Sequence, residues 1–293
     1  MNSPLLKTII LTSLALIAFA ANSVLCRLAL GSEAIDAASF TFIRLLSGTI
    51  VLLIIIGFTR NTTGVSAKGS WAASFMLFLY AITFSYAYTS LDTGTGALIL
   101  FGSVQITMIL LSLISGTRLH SLEWAGVIIA FTGFVFLIMP GVTTPSTIGL
   151  LLMTAAGIAW GIYTLKGRSS KSPLFDTAYN FLRTTPLVML LGLITFNNAN
   201  YTSEGILLAL LSGGITSGIG YTIWYIALSG LSATQAAVLQ LLVPVIAALG
   251  GVIFVSEAIT FRLSVSAAMV LGGILMVVLG KSYFSQNKTG IKT

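Results

Sequence analysis

Phe40-Thr41-Phe42-Ile43-Arg44 returns 139 residues later as Tyr179-Asn180-Phe181-Leu182-Arg183, and both copies set an arginine inside an apolar run. Upstream, Phe19-Ala20 through Arg27 aligns with Ile158-Ala159 through Lys166 at the same offset. Downstream the offset becomes 140, pairing Ala87 with Ala227, Leu91 with Leu231, Ala97 with Ala237 and Gly133 with Gly273. Identity is low, but the order of matches is kept along the whole chain. The expectation is two related halves.

Composition says what surrounds them. Of 293 residues, 56% are hydrophobic and only 7% charged, whereas soluble domains carry roughly 25% charge. So little polar surface cannot cover a water-facing globule, and the outside must face lipid. The net charge of +7 does not mark a nucleic-acid binder, because the basic residues sit in short loops between apolar runs. One cysteine, Cys26, excludes an internal disulfide and any CxxC motif. His120, alone beside a loop, reads as a solvated residue and not as a metal ligand.

A helix needs about 20 apolar residues to cross the hydrocarbon core. Ten stretches qualify, near 7–30, 37–57, 69–89, 93–114, 121–139, 147–166, 174–195, 205–228, 232–255 and 261–280. Lys7 and Ala18-Phe19-Ala20 resemble a secretory signal. The run continues to Leu30, however, and has a counterpart in the second half, so it reads as a membrane helix. With the N-terminus inside, the inner loops collect Lys7, Arg60, Lys68, Arg118, Lys166, Arg168, Lys171, Lys281, Lys288 and Lys292. The outer side receives only Arg27 and Arg262, with Glu33, Asp36, Asp92, Glu204 and Glu257. This bias puts both termini in the cytoplasm of a multi-pass inner-membrane protein. Five helices per half is an odd number, so the second half must insert upside down. The expected fold is all-α integral membrane, ten transmembrane helices as two inverted five-helix repeats, 1–140 and 141–281, followed by a loose polar tail, 282–293. Two inverted halves can rock about a midplane site, which favours a transporter.

Arg44 and Arg183 are the basic side chains well inside the expected spans, roughly 10 to 14 Å from opposite faces at about 1.5 Å per residue. A charge there costs a few kcal/mol and should face protein or water. It either binds a substrate carboxylate or gate, or holds the repeat together. Tyr80, Phe84 and Tyr88 lie on one helix face at i, i+4 and i+8. Tyr221 and Trp224 lie three apart, and Trp224 is the repeat equivalent of Phe84. Trp160, Tyr163, Tyr179 and Asn180 add polar-tipped aromatics and an amide. Such residues suit an apolar cavity with a few hydrogen-bonding tips, or plain packing against lipid and neighbouring helices. Asn22, Gln105, Gln235 and Gln240 must point inward to find partners. Pro244 frees a carbonyl in the ninth stretch, where the first half has Val104. The dense small residues of 93–97 and 212–220 let helices approach closely.

The chain contains no HExxH, Walker motif or GxSxG, no paired mid-span carboxylates and no acidic residue at mid-span. Enzymes and ATP-driven pumps are therefore disfavoured, and neither cofactor nor metal is expected.

Several motifs resemble the drug/metabolite transporter superfamily, and within it the EamA-type proteins. They are Tyr86-Ala87 with Ile226-Ala227-Leu228, then Leu241-Leu242-Val243-Pro244-Val245, Val255-Ser256-Glu257-Ala258-Ile259 and Leu271-Gly272-Gly273-Ile274, and Trp160-Gly161-Ile162-Tyr163 opening the second half. Val104 and Thr117 depart from the pattern, where the family often has proline and glutamate. The resemblance covers roughly residues 7 to 281. It implies export or exchange of small metabolites through a central cavity between the halves. Together these readings predict a secondary transporter of amino acids or related amphipathic solutes, working by alternating access. Its partners are the lipid bilayer and a small-molecule substrate, not nucleic acid, and a monomer is compatible with this. The alternatives are a drug-efflux carrier, a channel or a non-transporting membrane protein.

Overall fold

The computed structural model describes residues 4–59, 69–114, 116, 120–139, 145–167, 170–228, 230–231 and 239–289. Gln235, Thr117, Arg60, Lys68, Arg118 and Arg168 lie outside them. The first five helices are α1 (Pro4–Gly31), α2 (Ala37–Phe58), α3 (Trp71–Tyr88), α4 (Thr93–Ile114) and α5 (Ser121–Ile138). They are followed by α6 (Thr147–Gly167), α7 (Pro173–Thr195), α8 (Ser203–Leu210), a π-helical segment (Leu211–Ile219), α9 (Gly220–Leu228), α10 (Val243–Val255) and α11 (Phe261–Thr289). Among the described residues there is no strand, only an isolated bridge between Ile35 and Tyr201. Among the described residues, eight helical stretches are long and apolar enough to cross a membrane, counting α8, the π segment and α9 as one. Ser121–Leu137 and Val243–Val255 are shorter apolar helices. The chain is an all-helical, multi-pass membrane protein.

Helix starts follow local chemistry. Asp36 caps α2 by accepting from the amides of Ala38 and Ser39, Ser70 caps α3 through Ala73, and Thr202 caps α8 through Gly205. Pro244 sits in the first turn of α10, where a missing N–H costs nothing. It therefore starts a helix and does not break one at mid-span. Two features differ from the sequence reading. The tail expected to be loose continues α11 as helix to Thr289. The eighth stretch is wound as a π-helix over nine residues, where Ser212, Thr216 and Ser217 bond to Asn22 and Arg44 of the first two helices.

The core lies between the two halves. α1 packs on α8 to α10, α2 on α7 and the π segment, α3 on α6 and α7, and α4 on α6 and α10, while α5 and α11 pair with each other beside α4. At the end where α1 and α3 terminate, two clasps join the halves. Arg27 donates Nε to Glu257 Oε1 (3.0 Å) and Nη1 to the Tyr88 carbonyl (3.2 Å), and Glu257 Oε2 accepts from the Thr93 amide (2.8 Å). Asp36 and Asn200 exchange two bonds (2.8 and 2.9 Å), and Thr202 donates its amide and hydroxyl to the Ala34 carbonyl. Toward the opposite end, Asp176 and Asn180 of α7 accept the amides of Gly69 and Ser70 (2.9 and 2.8 Å) at the start of α3.

The π segment meets α2 at van der Waals distance. A Cβ at Gly213 would collide with Ser47 Oγ and the Arg44 carbonyl, whereas one at Gly272 would meet open space. Gly213→Ala should therefore cost about 1 to 3 kcal/mol through overpacking, read as a lowered melting temperature in detergent, with Gly272→Ala as a near-neutral control.

Candidate functional site

Burying Arg44 forces its surroundings into place. The residue is 1% exposed and lies where a lone charge costs about 3 kcal/mol. Its Nη2 donates to the Tyr80 hydroxyl (3.1 Å) and its Nε to Ser217 Oγ (3.4 Å). The guanidinium carbon stands 4.9 Å from the Phe84 ring centroid and 5.3 Å from that of Tyr80, within range of cation–π attraction. Nη1 is buried with no partner. Among the described residues, the ion pairs are Arg27–Asp92, Arg27–Glu257 and His120–Glu123, so no carboxylate neutralises Arg44.

Tyr80 links this charge to an amide. Its hydroxyl also accepts from Asn22 Nδ2 (3.5 Å), while Asn22 Oδ1 accepts from Ser212 (2.6 Å) and lies 3.1 Å from the Thr216 hydroxyl. Ser212, Thr216 and Ser217 share one face of the π segment. Helix α1 of one half thus holds the π segment of the other through a single amide.

Aromatic rings continue the cluster. Tyr80 packs on Trp160 at 4.8 Å between centroids, Trp160 on Tyr221 at 5.0 Å and on Tyr163 at 5.4 Å, and Phe84 edge-on to Tyr88 at 4.8 Å. Phe19 meets Tyr221 at 5.8 Å and Trp224 at 5.6 Å. Between these rings is a cavity of about 10 Å³ lined by Phe19, Asn22, Ser23, Tyr80, Phe84, Leu100, Phe101, Trp160 and Tyr221, room for no more than a single water. A second cavity of about 300 Å³ opens beside the Arg27 clasp, lined in part by Asp92, Thr95, Glu257 and Arg262.

The structure therefore brings Asn22, Arg44, Tyr80, Phe84, Trp160 and Tyr221 together, with Tyr88, Tyr163 and Trp224 one ring further out. Tyr88 fixes its ring over Gly96 and donates its hydroxyl to the Thr93 carbonyl (3.3 Å). The other expected residues lie elsewhere. Tyr179 is 36% exposed on α7. Asn180 spends its oxygen on the α3 amide, and Arg183 is half-buried over the Trp71 ring at 5.7 Å. The two repeat-related arginines thus have different surroundings. Gln105 and Gln240 are buried in α4 and just ahead of α10, and none of the contacts described above includes them. Phe19, Ser23 and Ser217 were missed by the sequence reading. The spacing of Ser212 and Thr216 four apart, beside Ser217, was the available signal, read there only as packing. Among the described residues no group of three or more His, Cys, Asp or Glu could hold a metal.

Comparison with known proteins places the chain. The family model described as EamA-like transporter family matches residues 6–139 and again 147–279. An uncharacterized protein of Pseudomonas aeruginosa is 46% identical over 93% of this chain and 94% of its own length. An uncharacterized transporter of Archaeoglobus fulgidus is 26% identical over 94% of this chain and 98% of its own. A probable amino-acid metabolite efflux pump of Escherichia coli is 24% identical over 73% of this chain and 80% of its own. One solved crystal structure, 20% identical, superposes with a TM-score of 0.64 over 91% of this chain and 96% of that one, which shows a shared fold.

Tyr80→Phe would strip Arg44 Nη2 and Asn22 Nδ2 of a buried acceptor. It should cost about 1 to 3 kcal/mol, measured as a drop in thermal stability of the purified protein in detergent.

Proposed function

The chain belongs to the EamA-like transporter family, and from that premise we propose an inner-membrane secondary carrier that exports or exchanges small metabolites, amino acids or related amphipathic solutes. The observation that carries this reading is the buried, unneutralised guanidinium of Arg44 beside an aromatic cavity at the junction of the two halves. A carboxylate entering the cluster would bring the charge Arg44 lacks, the amide of Asn22 would hold a polar group, and Trp160, Tyr221 and Phe84 would hold the apolar part. The name of the Escherichia coli relative supports this substrate class. A buried cation with no acid beside it repels cationic drugs, so the drug-efflux alternative is the weaker one. The transporter family of the chain supports reading the protein as a non-enzyme.

In this reading the chain crosses the membrane ten times as two inverted five-helix repeats, with both termini cytoplasmic. The packing supports it. Exchanging α1 with α6, α2 with α7, α3 with the α8–α9 rod, α4 with α10 and α5 with α11 maps the contacts of α3 on α6 to those of α1 on α9. It likewise maps α4 on α6 to α1 on α10. A site on such an axis can be opened to either side by rocking one half against the other. The Arg27 and Asp36 clasps would close the outer side, and the Asp176–Asn180 clasp the inner side.

Counterflow in proteoliposomes loaded with unlabelled amino acids, nucleobases and cationic drugs tests the proposal. Wild type should accumulate a labelled carboxylate-bearing solute. Arg44→Gln and Trp160→Ala should lose at least about tenfold in rate, and Tyr179→Ala should keep it. No accumulation of any solute by folded wild-type protein would end the carrier reading.

A further inference from the structure

Several polar groups in and beside the central cavity can donate, and its hydroxyls, on Ser23, Tyr80 and Tyr221, are the groups that can also accept. Arg44 stands behind the lining, its guanidinium against the cavity-lining rings of Tyr80 and Phe84, and its Nη1 carries two protons and has no partner. Asn22 lines the cavity; its oxygen is engaged by Ser212 and approached by Thr216, and its Nδ2 gives one proton to the Tyr80 hydroxyl and keeps a second. The Tyr80 oxygen already accepts from Arg44 and Asn22, and its hydroxyl is also paired with that of Tyr221. Ser23, 1% exposed, lines the cavity beside Tyr88, and the indole N–H of Trp160 can only donate. No carboxylate is present among the described residues that line this cavity.

A buried site of this kind favours ligands rich in acceptors. It penalises an ammonium twice, by repulsion from Arg44 and by leaving the protons of Arg44 Nη1 without an acceptor in a dry setting. Resting on the carrier reading above, we propose that the preferred solute is a monocarboxylate with a second acceptor beside the carboxylate and an apolar tail, such as the α-keto acid of an apolar amino acid. The amino acid itself is then the poorer substrate. The carboxylate takes Arg44 Nη1, the adjacent carbonyl oxygen accepts from Asn22, Ser23 or Tyr80, and the tail packs among Phe84, Trp160 and Tyr221. Asn22 is then a specificity-determining residue, because its orientation decides whether the cavity shows a donor or an acceptor.

α-Ketoisocaproate, leucine and isoamylamine share one branched tail and differ only in the polar head. In proteoliposomes, competition against counterflow of labelled α-ketoisocaproate and, separately, labelled leucine should rank them in that order. At least about tenfold should separate the first two, and the amine should not compete. In parallel, α-ketoisocaproate should raise the melting temperature of the detergent-solubilised protein more than leucine does. Asn22→Asp, which keeps an acceptor for Ser212 and Thr216 while adding a carboxylate, should shift the ranking toward leucine. Arg44→Gln should abolish the preference for the keto acid. Leucine moving as well as or better than the keto acid would overturn this proposal and leave the carrier reading standing. If none of the three moves, the carrier reading fails for these solutes and the melting temperatures decide the ligand. A larger shift with the keto acid upholds the proposal, and an equal, reversed or absent shift overturns it.

Discussion

The buried charge of Arg44 is the constraint around which the centre of this molecule is arranged. An arginine at this depth persists only if its protons find oxygen and its charge finds polarisable surroundings. Tyr80 and Ser217 supply oxygen, and the faces of Phe84 and Tyr80 supply the rest. The suppliers come from two elements, α3 and the π segment. Tyr80 and Phe84 fix α3 against α2, and Ser217 fixes the π segment of the second half against the first. Gly213 is needed because the π segment must approach the Arg44 backbone to deliver that hydroxyl. Close approach, π winding and aromatic stacking are consequences of holding one cation in an apolar place.

The same constraint separates the two halves chemically. Arg183 occupies the equivalent position in sequence, yet α7 sets it toward the start of α3, half-buried over an exposed Trp71. Matching position in the sequence does not give the two arginines matching surroundings. The site is consequently lopsided. The first half provides the charge and the second half the hydroxyl face, with α1 and its Asn22 tying the two together.

What was legible in the sequence follows from physics that acts locally. Hydropathy over twenty residues marks a membrane helix whatever it packs against, so eight of the expected stretches are helices long and apolar enough to cross, while the fifth and ninth hold shorter apolar helices among the described residues. A charged residue inside such a run must face protein, which pointed to Arg44. The face shared by Tyr80, Phe84 and Tyr88 follows from helical pitch alone. Partners across the interface were not legible, because they depend on which helices meet. Ser217, Ser23 and Phe19 look like ordinary packing residues until α1, α2 and the π segment are brought together. The π segment was illegible for the same reason, since its winding is stabilised by tertiary contacts to Arg44 and Asn22 and not by propensity.

The most direct test is an experimental structure of the protein determined with a transported carboxylate solute. The account predicts density for the carboxylate against Arg44 Nη1, with the tail between Phe84, Trp160 and Tyr221 and the cavity between the two halves enlarged to hold it. Solute density confined to the larger cavity beside Arg27 and Glu257, with the Arg44 cluster unchanged, would contradict it.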